Sequence, residues 1–289
     1  MDAKRGGETI QRKYLPPRRR FEVTLTWPAS LPLERKRGIV AALWLATWLG
    51  GMGSRSRRGF GSMRVTEVKD PGNEALGELP FTFQGDSQQL HDFLETNLRR
   101  CAAWIGRGTP PDGTSLPDYS VLHPKFAKLY LWKTPFRDWE RAMDEAGTRM
   151  MKFRRRYPLN RPGNPWGDYQ EVKKFLQHPS KRIGPIRRTA FGLPIEFYFT
   201  SLPRGSNKAS VKGKTQERRG SPLFVRVVRL GDRKYGLLFL LLRAEILPEG
   251  EPIMIQARSE KGFGPQPDFS AVEEFLDENV VPEAWEVSV

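Results

Sequence analysis

Gly50–Arg64 reads GGMGSRSRRGFGSMR: five glycines, four arginines and no acid, set between two apolar segments. Glycine lets a backbone turn tightly and approach a ligand closely. Arg55, Arg57 and Arg58 put fixed positive forks on the loop, and such forks match phosphate. Phe60 stands between two glycines, where a ring could stack on a base or plug a core. Basic runs are weak motifs alone, so the stretch reads either as a polyanion-holding loop or as a solvated turn. Its surroundings weigh between the two.

Working outward, Phe21, Val23, Leu25 and Trp27 alternate with Glu22, Thr24 and Thr26, the periodicity of a strand. Pro28 and Pro32 interrupt the chain, and Glu34–Leu49 then reads as a helix with Ile39, Leu43, Ala46 and Leu49 on one face. Trp44 and Trp48 widen that stripe and are not expected both to bury against one sheet. Gly50 and Gly51 end the helix, and Met63–Val68 alternates again. The loop therefore joins a buried helix to a strand. Its backbone N–H groups need partners that an RNA backbone could supply.

The segment LWLATWLGGMGSRSRRGFGSMRV resembles the glycine-rich signature of RAMP proteins, the RNA-binding subunits of CRISPR effectors. The Cmr-complex RAMP subunit at the crRNA 3′ end of type III-B effectors is the nearest pattern. Arg188–Pro194 (RTAFGLP) and Gly220–Arg229 (GSPLFVRVVR) are also similar to it. The resemblance implies a ferredoxin-like (RRM-like) α+β fold with an inserted helical region. It also implies a non-catalytic subunit contacting the crRNA 3′ region and target RNA, with other effector RAMP subunits as partners. Relative to the family pattern an N-terminal half is expected to be missing, because only a basic stretch of about twenty residues precedes the first expected strand. The RNA-binding positions expected on this basis are Gly51, Gly53, Ser54, Arg55, Arg57, Arg58, Gly59, Phe60 and Gly61. Arg187 and Arg188 form a second basic site beside Phe191 and Gly192, and Lys212, Lys214, Arg218 and Arg219 belong to a basic loop.

Composition agrees with a polyanionic partner. Lys and Arg number 48 against 33 Asp and Glu, a net charge of +15, which makes nucleic-acid affinity almost unavoidable. The single Cys101 permits no internal disulfide and shares a helical face with Leu90, Leu94, Leu98 and Ile105, the setting of a core residue. No segment has ~20 uninterrupted apolar residues, and the basic start lacks a following apolar run, so a cytoplasmic protein is expected. Of three histidines, His91 reads as helical, His178 as a helix end, and His123 as a loop residue. None lies in a constellation for general acid–base work. Glu273 and Glu274 read as exposed charge, and no metal-ligand spacing occurs. Val211–Thr215 mimics the end of a P-loop, but Lys208 occupies the place of its first glycine. No enzyme activity and no cofactor are expected. The alternatives kept open are a RAMP endoribonuclease that processes crRNA, with His123 its best candidate, and a basic RNA-binding structural protein outside CRISPR.

The organisation expected is a basic tail over 1–20 and a strand–helix–loop–strand part of the core over 21–85. A helical insertion follows over 86–180, then a strand-rich part over 181–289 with a basic loop at 203–221. In that loop six cations face Glu217 alone. Helices are expected over Asp86–Arg107, from Thr134 onward, over Asp168–Gln177 and over Phe269–Asn279. Strands are expected over Lys125–Trp132, Ile195–Thr200, Pro222–Leu230 and Tyr235–Arg243. The continuous apolar run Leu237–Leu242 marks a central strand covered on both faces.

Overall fold

The computed structural model describes residues 3–5, 8–10, 16–17, 19–70, 74–106, 116–155 and 167–289. The loops expected over Gly108–Pro117 and Asn160–Gly167 fall largely outside them. The chain divides into two units, 1–32 and 33–289.

In the first unit β1 (Ala3–Arg5) and β2 (Glu8–Ile10) pair antiparallel, within the stretch expected to be a plain basic tail. Phe21–Trp27 does not form the expected strand. It runs without a ladder, with Phe21 and Val23 60% and 58% exposed. Period-2 alternation specifies which side chains share a face, but a strand also needs a neighbouring edge to pair with. Met63–Val68 likewise stays outside every ladder.

The second unit opens with α1 (Leu33–Trp48) and α2 (Ser87–Ile105). The Asp86 carboxylate accepts the Gln89 N–H at 2.8 Å while the Gln89 side chain accepts the Asp86 N–H, a reciprocal cap. Trp44 and Trp48 both bury, but not against one sheet. They stack 5.7 Å apart under Phe93, and the Trp44 indole N–H donates to Pro80 O at 2.8 Å. What covers them is a second helix rather than a sheet. Cys101 is buried on α2, and burial pushes its thiol up to about 12.

The succession β3 (Ala127–Trp132), α3 (Trp139–Arg155), β6 (Leu223–Gly231), β7 (Lys234–Leu242), α5 (Ser270–Asn279), β10 (Ala284–Val287) builds an antiparallel sheet in the order β10-β3-β7-β6. The connection from β3 through α3 to β6 skips one position, which β7 then fills. That is the split βαβ of the ferredoxin-like fold, so the α+β expectation is met. The stretch 86–180, expected to be an inserted helical region, thus contributes the first strand and first helix of this sheet. On one face Trp132, Val225, Phe239 and Leu241 join α3 and α5 through Ala142, Phe153, Val272 and Phe275 in a single core. On the other face lie Leu129, Leu131, Leu238 and Leu240, all buried, with α2 against β3 and β10. Central β7 is covered on both sides, as its apolar run requires.

Between α3 and β6 the chain adds α4 (Asp168–Gln177), β4 (Ile195–Tyr198) and β5 (Lys208–Gly213). With β8 (Ile253–Ala257) and β9 (Glu260–Gly264), β4 and β5 form a second antiparallel sheet in the order β4-β5-β8-β9. The basic loop expected over 203–221 is therefore partly strand. Ala209 and Val211 point into the core while Lys208 stays exposed, an alternation that charge counting obscures. α3 begins at Trp139 rather than near Thr134, because Phe136 exchanges two backbone bonds with Tyr235 and Asp138 accepts the Arg141 N–H at 2.7 Å.

Candidate nucleic-acid interface

The Gly/Arg loop is a closed structure. Met52 N–H donates to Gly61 O at 3.0 Å, Arg58 N–H to Arg55 O at 2.9 Å and Ser56 N–H to Gly53 O at 3.3 Å. These amides find their partners inside the loop, not in a ligand as the sequence suggests. The loop then docks on the edge of the first sheet, where Val225 N–H donates to Arg57 O at 3.1 Å. Gly61 has φ +68°, and a Cβ there would lie 1.8 Å from Met52 O. Only glycine lets this loop close.

Arg226 holds the base. Its guanidinium donates to Gly50 O, to Thr47 O and, at 2.7 Å, to Met63 O. It thereby ties the end of α1 to both ends of the loop, in place of the unpaired carbonyls that a helix C-terminus leaves. Burial pushes the Arg226 guanidinium down to about 10.

Two further segments meet this loop. In the 3₁₀ turn Arg187–Phe191 both Asp168 carboxylate oxygens are taken by the N–H groups of Arg187 and Arg188, at 2.9 and 2.8 Å. Burial pushes the Asp168 carboxyl up, against the pull of those hydrogen bonds. The backbones of Leu193 and Arg219 exchange two hydrogen bonds, and a Cβ on Gly192 (φ +118°) would stand 3.0 Å from Arg219 O. The Arg57 guanidinium reaches across to Ser221 O at 2.6 Å and stacks 4.7 Å from the Phe224 ring. A Cβ on Gly220 would sit 2.5 Å from that guanidinium.

Together these segments line an open cavity of about 450 Å³. Arg55, Arg57, Arg58, Arg154, Arg188 and Arg219 line it, with Glu196 as the one carboxylate among the described residues. Phe191, Leu193, Pro194 and Ile195 supply an apolar wall. The volume lies within the range of small-ligand sites. The Arg154 guanidinium rests 5.1 Å from the Phe191 ring, and burial, then Arg188 and Arg58, pushes it down to about 10. Arg188 lies 5.4 Å from the Phe197 ring and is also lowered by burial, opposed by Asp168. The Nε atoms of both Arg154 and Arg188 are buried without a partner. Outside the cavity Phe60 is 48% exposed, with the Arg55 guanidinium 5.9 Å from its ring.

Of the positions expected from sequence, Ser54, Arg55, Arg57, Arg58, Arg188 and Arg219 gather here, with Phe191 and Gly192. Gly51, Gly53, Gly59 and Gly61 shape the loop behind them. Arg187 turns away to Ser270 and Glu274, so the expected Arg187–Arg188 pair is split. Lys212 pairs with Glu217, and neither it nor Lys214 nor Arg218 lines the cavity. Glu273 and Glu274 are not free surface charge, since they pair with Arg243 and Arg187. Arg154, near the end of α3, is a lining residue absent from the positions expected from sequence. Its place just after the apolar stripe Trp139, Met143, Ala146, Met150, Phe153 was the available signal.

None of the histidines lines the cavity. His91 Nε2 lies 3.0 Å from Glu286 O, and His123 Nδ1 accepts the Lys125 N–H at 3.2 Å. Among the described residues no group of three His, Cys, Asp or Glu side chains could hold a metal ion. No helix among them is long and apolar enough to cross a membrane.

The chain is similar to the CRISPR system Cmr subunit Cmr1-1 of Pyrococcus furiosus, at 27% identity over 238 residues. The match covers 82% of this chain and 56% of that protein, so the chain spans little more than half the length of its curated relative. No family model and no solved structure matches the chain. The resemblance read from Gly50–Arg64 and its two companion stretches therefore has a counterpart in a Cmr subunit. Those three stretches supply most of the cavity lining, and Arg154, Ile195, Glu196 and Arg219 complete it from outside them.

Proposed function

We propose that this protein is a non-catalytic, RNA-binding subunit of a type III-B (Cmr) CRISPR effector that contacts the crRNA 3′ region and target RNA in antiviral defence. Other effector RAMP subunits are its partners, and the cytoplasm is its compartment. The observation that carries the reading is the arginine-lined cavity, on which the three stretches that resemble the family converge with Arg154 and Arg219. Six guanidinium groups against one carboxylate make a site for a polyanion. Exposed Phe60 beside the loop offers a face on which a base can stack. The similarity to a Cmr subunit supports the complex to which such a site would belong. The position of all three histidines outside the cavity supports binding rather than cleavage.

The test is RNA affinity of the Arg55→Ala/Arg57→Ala/Arg58→Ala variant, measured by anisotropy over a range of salt. Affinity for unrelated single-stranded sequences falls alike, and the slope of log K against log salt shrinks by about 0.7 for each phosphate that is no longer neutralised. Unchanged affinity and slope overturn the reading. Site-specific cleavage of labelled repeat RNA by the purified protein overturns its non-catalytic part.

A further inference from the structure

The cavity contains more charge than its own structure uses. Arg57 is engaged with Ser221 O and Phe224, and Asp168 is committed to backbone N–H groups. Arg154 is different. Its guanidinium touches the Phe191 ring but donates no hydrogen bond among the described residues, and its Nε is buried and orphaned. Arg188 repeats the pattern over Phe197. Arg58 completes a group of three like charges close enough to depress Arg154. Leaving such donors desolvated and unpaired is costly, and so is crowding cations in excess of the carboxylates at hand, Glu196 in the lining and Asp168 near Arg188. Both costs vanish when an anion with several acceptor oxygens occupies the cavity.

The chemistry of that anion can be narrowed. An internal phosphodiester offers one negative charge and two free oxygens. A terminal monoester carries ≈ −1.5 to −2 charge at pH 7 and three strong acceptor oxygens, which suits three guanidinium forks. The apolar wall of Phe191, Leu193, Pro194 and Ile195 provides a surface for the sugar or base attached to it. Resting on the RNA-binding reading above, we propose that this cavity is the seat of the terminal phosphate monoester of an RNA strand, held by Arg58, Arg154 and Arg188 in preference to an internal phosphate.

Calorimetric titration of the full chain with uridine oligomers of one length tests this. The oligomers end in a 3′-phosphate, a 5′-phosphate or hydroxyls at both ends, and uridine 3′-monophosphate serves as the free-nucleotide arm. One phosphate-ended oligomer binds roughly tenfold more tightly than the hydroxyl-ended one, and the free nucleotide binds more weakly than either. In Arg154→Gln that preference disappears while the hydroxyl-ended oligomer still binds. Arg188→Gln repeats the comparison should the first variant melt early. Equal affinity for all three oligomers overturns the proposal and leaves the RNA-binding reading intact. So does a preference that survives both variants, or a free nucleotide that binds as tightly as the phosphate-ended strand. Absence of binding to any oligomer overturns both.

Discussion

Arg226 is 3% exposed in the middle of a strand, and its guanidinium is consumed by three carbonyls around the root of the Gly/Arg loop. Replacing it with methionine keeps much of the packing volume but leaves those carbonyls without a donor. A buried acceptor stripped of its partner costs about 1–3 kcal/mol. Arg226→Met is therefore expected to lower stability by about 3 kcal/mol in urea unfolding. Arg226→Lys should recover only part of that, because an ammonium is not a planar fork. Equal stability of wild type and Arg226→Met would show that the loop root is held by something else. Neither Arg226 nor Arg154 was legible as special in the sequence. Strand and helix patterns treat a cation as a surface residue, and burial of a charge is decided by which backbone carbonyls or rings the fold brings to it. Arg55, Arg57 and Arg58 were legible because glycine-rich, acid-free context has few structural uses.

The Gly/Arg loop behaves as an element in its own right, closed by internal hydrogen bonds and paired to β6. Gly61 is its critical point, since a Cβ there meets Met52 O at 1.8 Å in a left-handed backbone. Gly53 is the natural control. It too has positive φ (+96°), but its Cβ would meet nothing within 4 Å. Gly53→Ala is expected to cost about 1 kcal/mol, the usual penalty for a side chain in that region. Gly61→Ala should cost clearly more, and should weaken RNA binding because Arg55, Arg57 and Arg58 lose their placement. Paired melting and RNA titrations of the two variants separate strain from clash, and identical behaviour would mean that the loop does not need to close. At this scale the sequence was most legible where an element carries its own signals. The helix expected from Asp86 onward starts where Asp86 caps α2, and the apolar run of β7 marked its central place. Phe21–Trp27 had the alternation without a partner edge. β5 had a partner edge, but lysines masked its alternation. β8, β9 and β10 are short and take their identity from the strands beside them.

At the scale of the molecule, the cavity is a product of folding. Its arginines come from the loop between α1 and α2, the end of α3, the 3₁₀ turn and the segment leading into β6. No short peptide contains more than half of them. A site of this kind couples ligand binding to the stability of the second unit, because the unfolded chain keeps the charge but not its convergence. The excess of +15 still attracts RNA to an unfolded chain, and that weaker binding subtracts from the effect. RNA at a hundredfold excess over its dissociation constant stabilises the folded state by about 2.7 kcal/mol. For a chain of this size that corresponds to a rise in Tm of about 5–10 °C. The rise should shrink steeply between low and moderate salt, as phosphate interactions are screened and counter-ions compete. Arg154→Gln should retain a smaller, equally salt-sensitive shift, since five arginines remain on the cavity wall. The Arg55→Ala/Arg57→Ala/Arg58→Ala variant should show almost none. Differential scanning fluorimetry at two salt concentrations distinguishes these cases. A shift as large in the triple variant as in wild type would place the RNA on the general positive surface, and the cavity would lose its claim to be where folding and RNA binding meet.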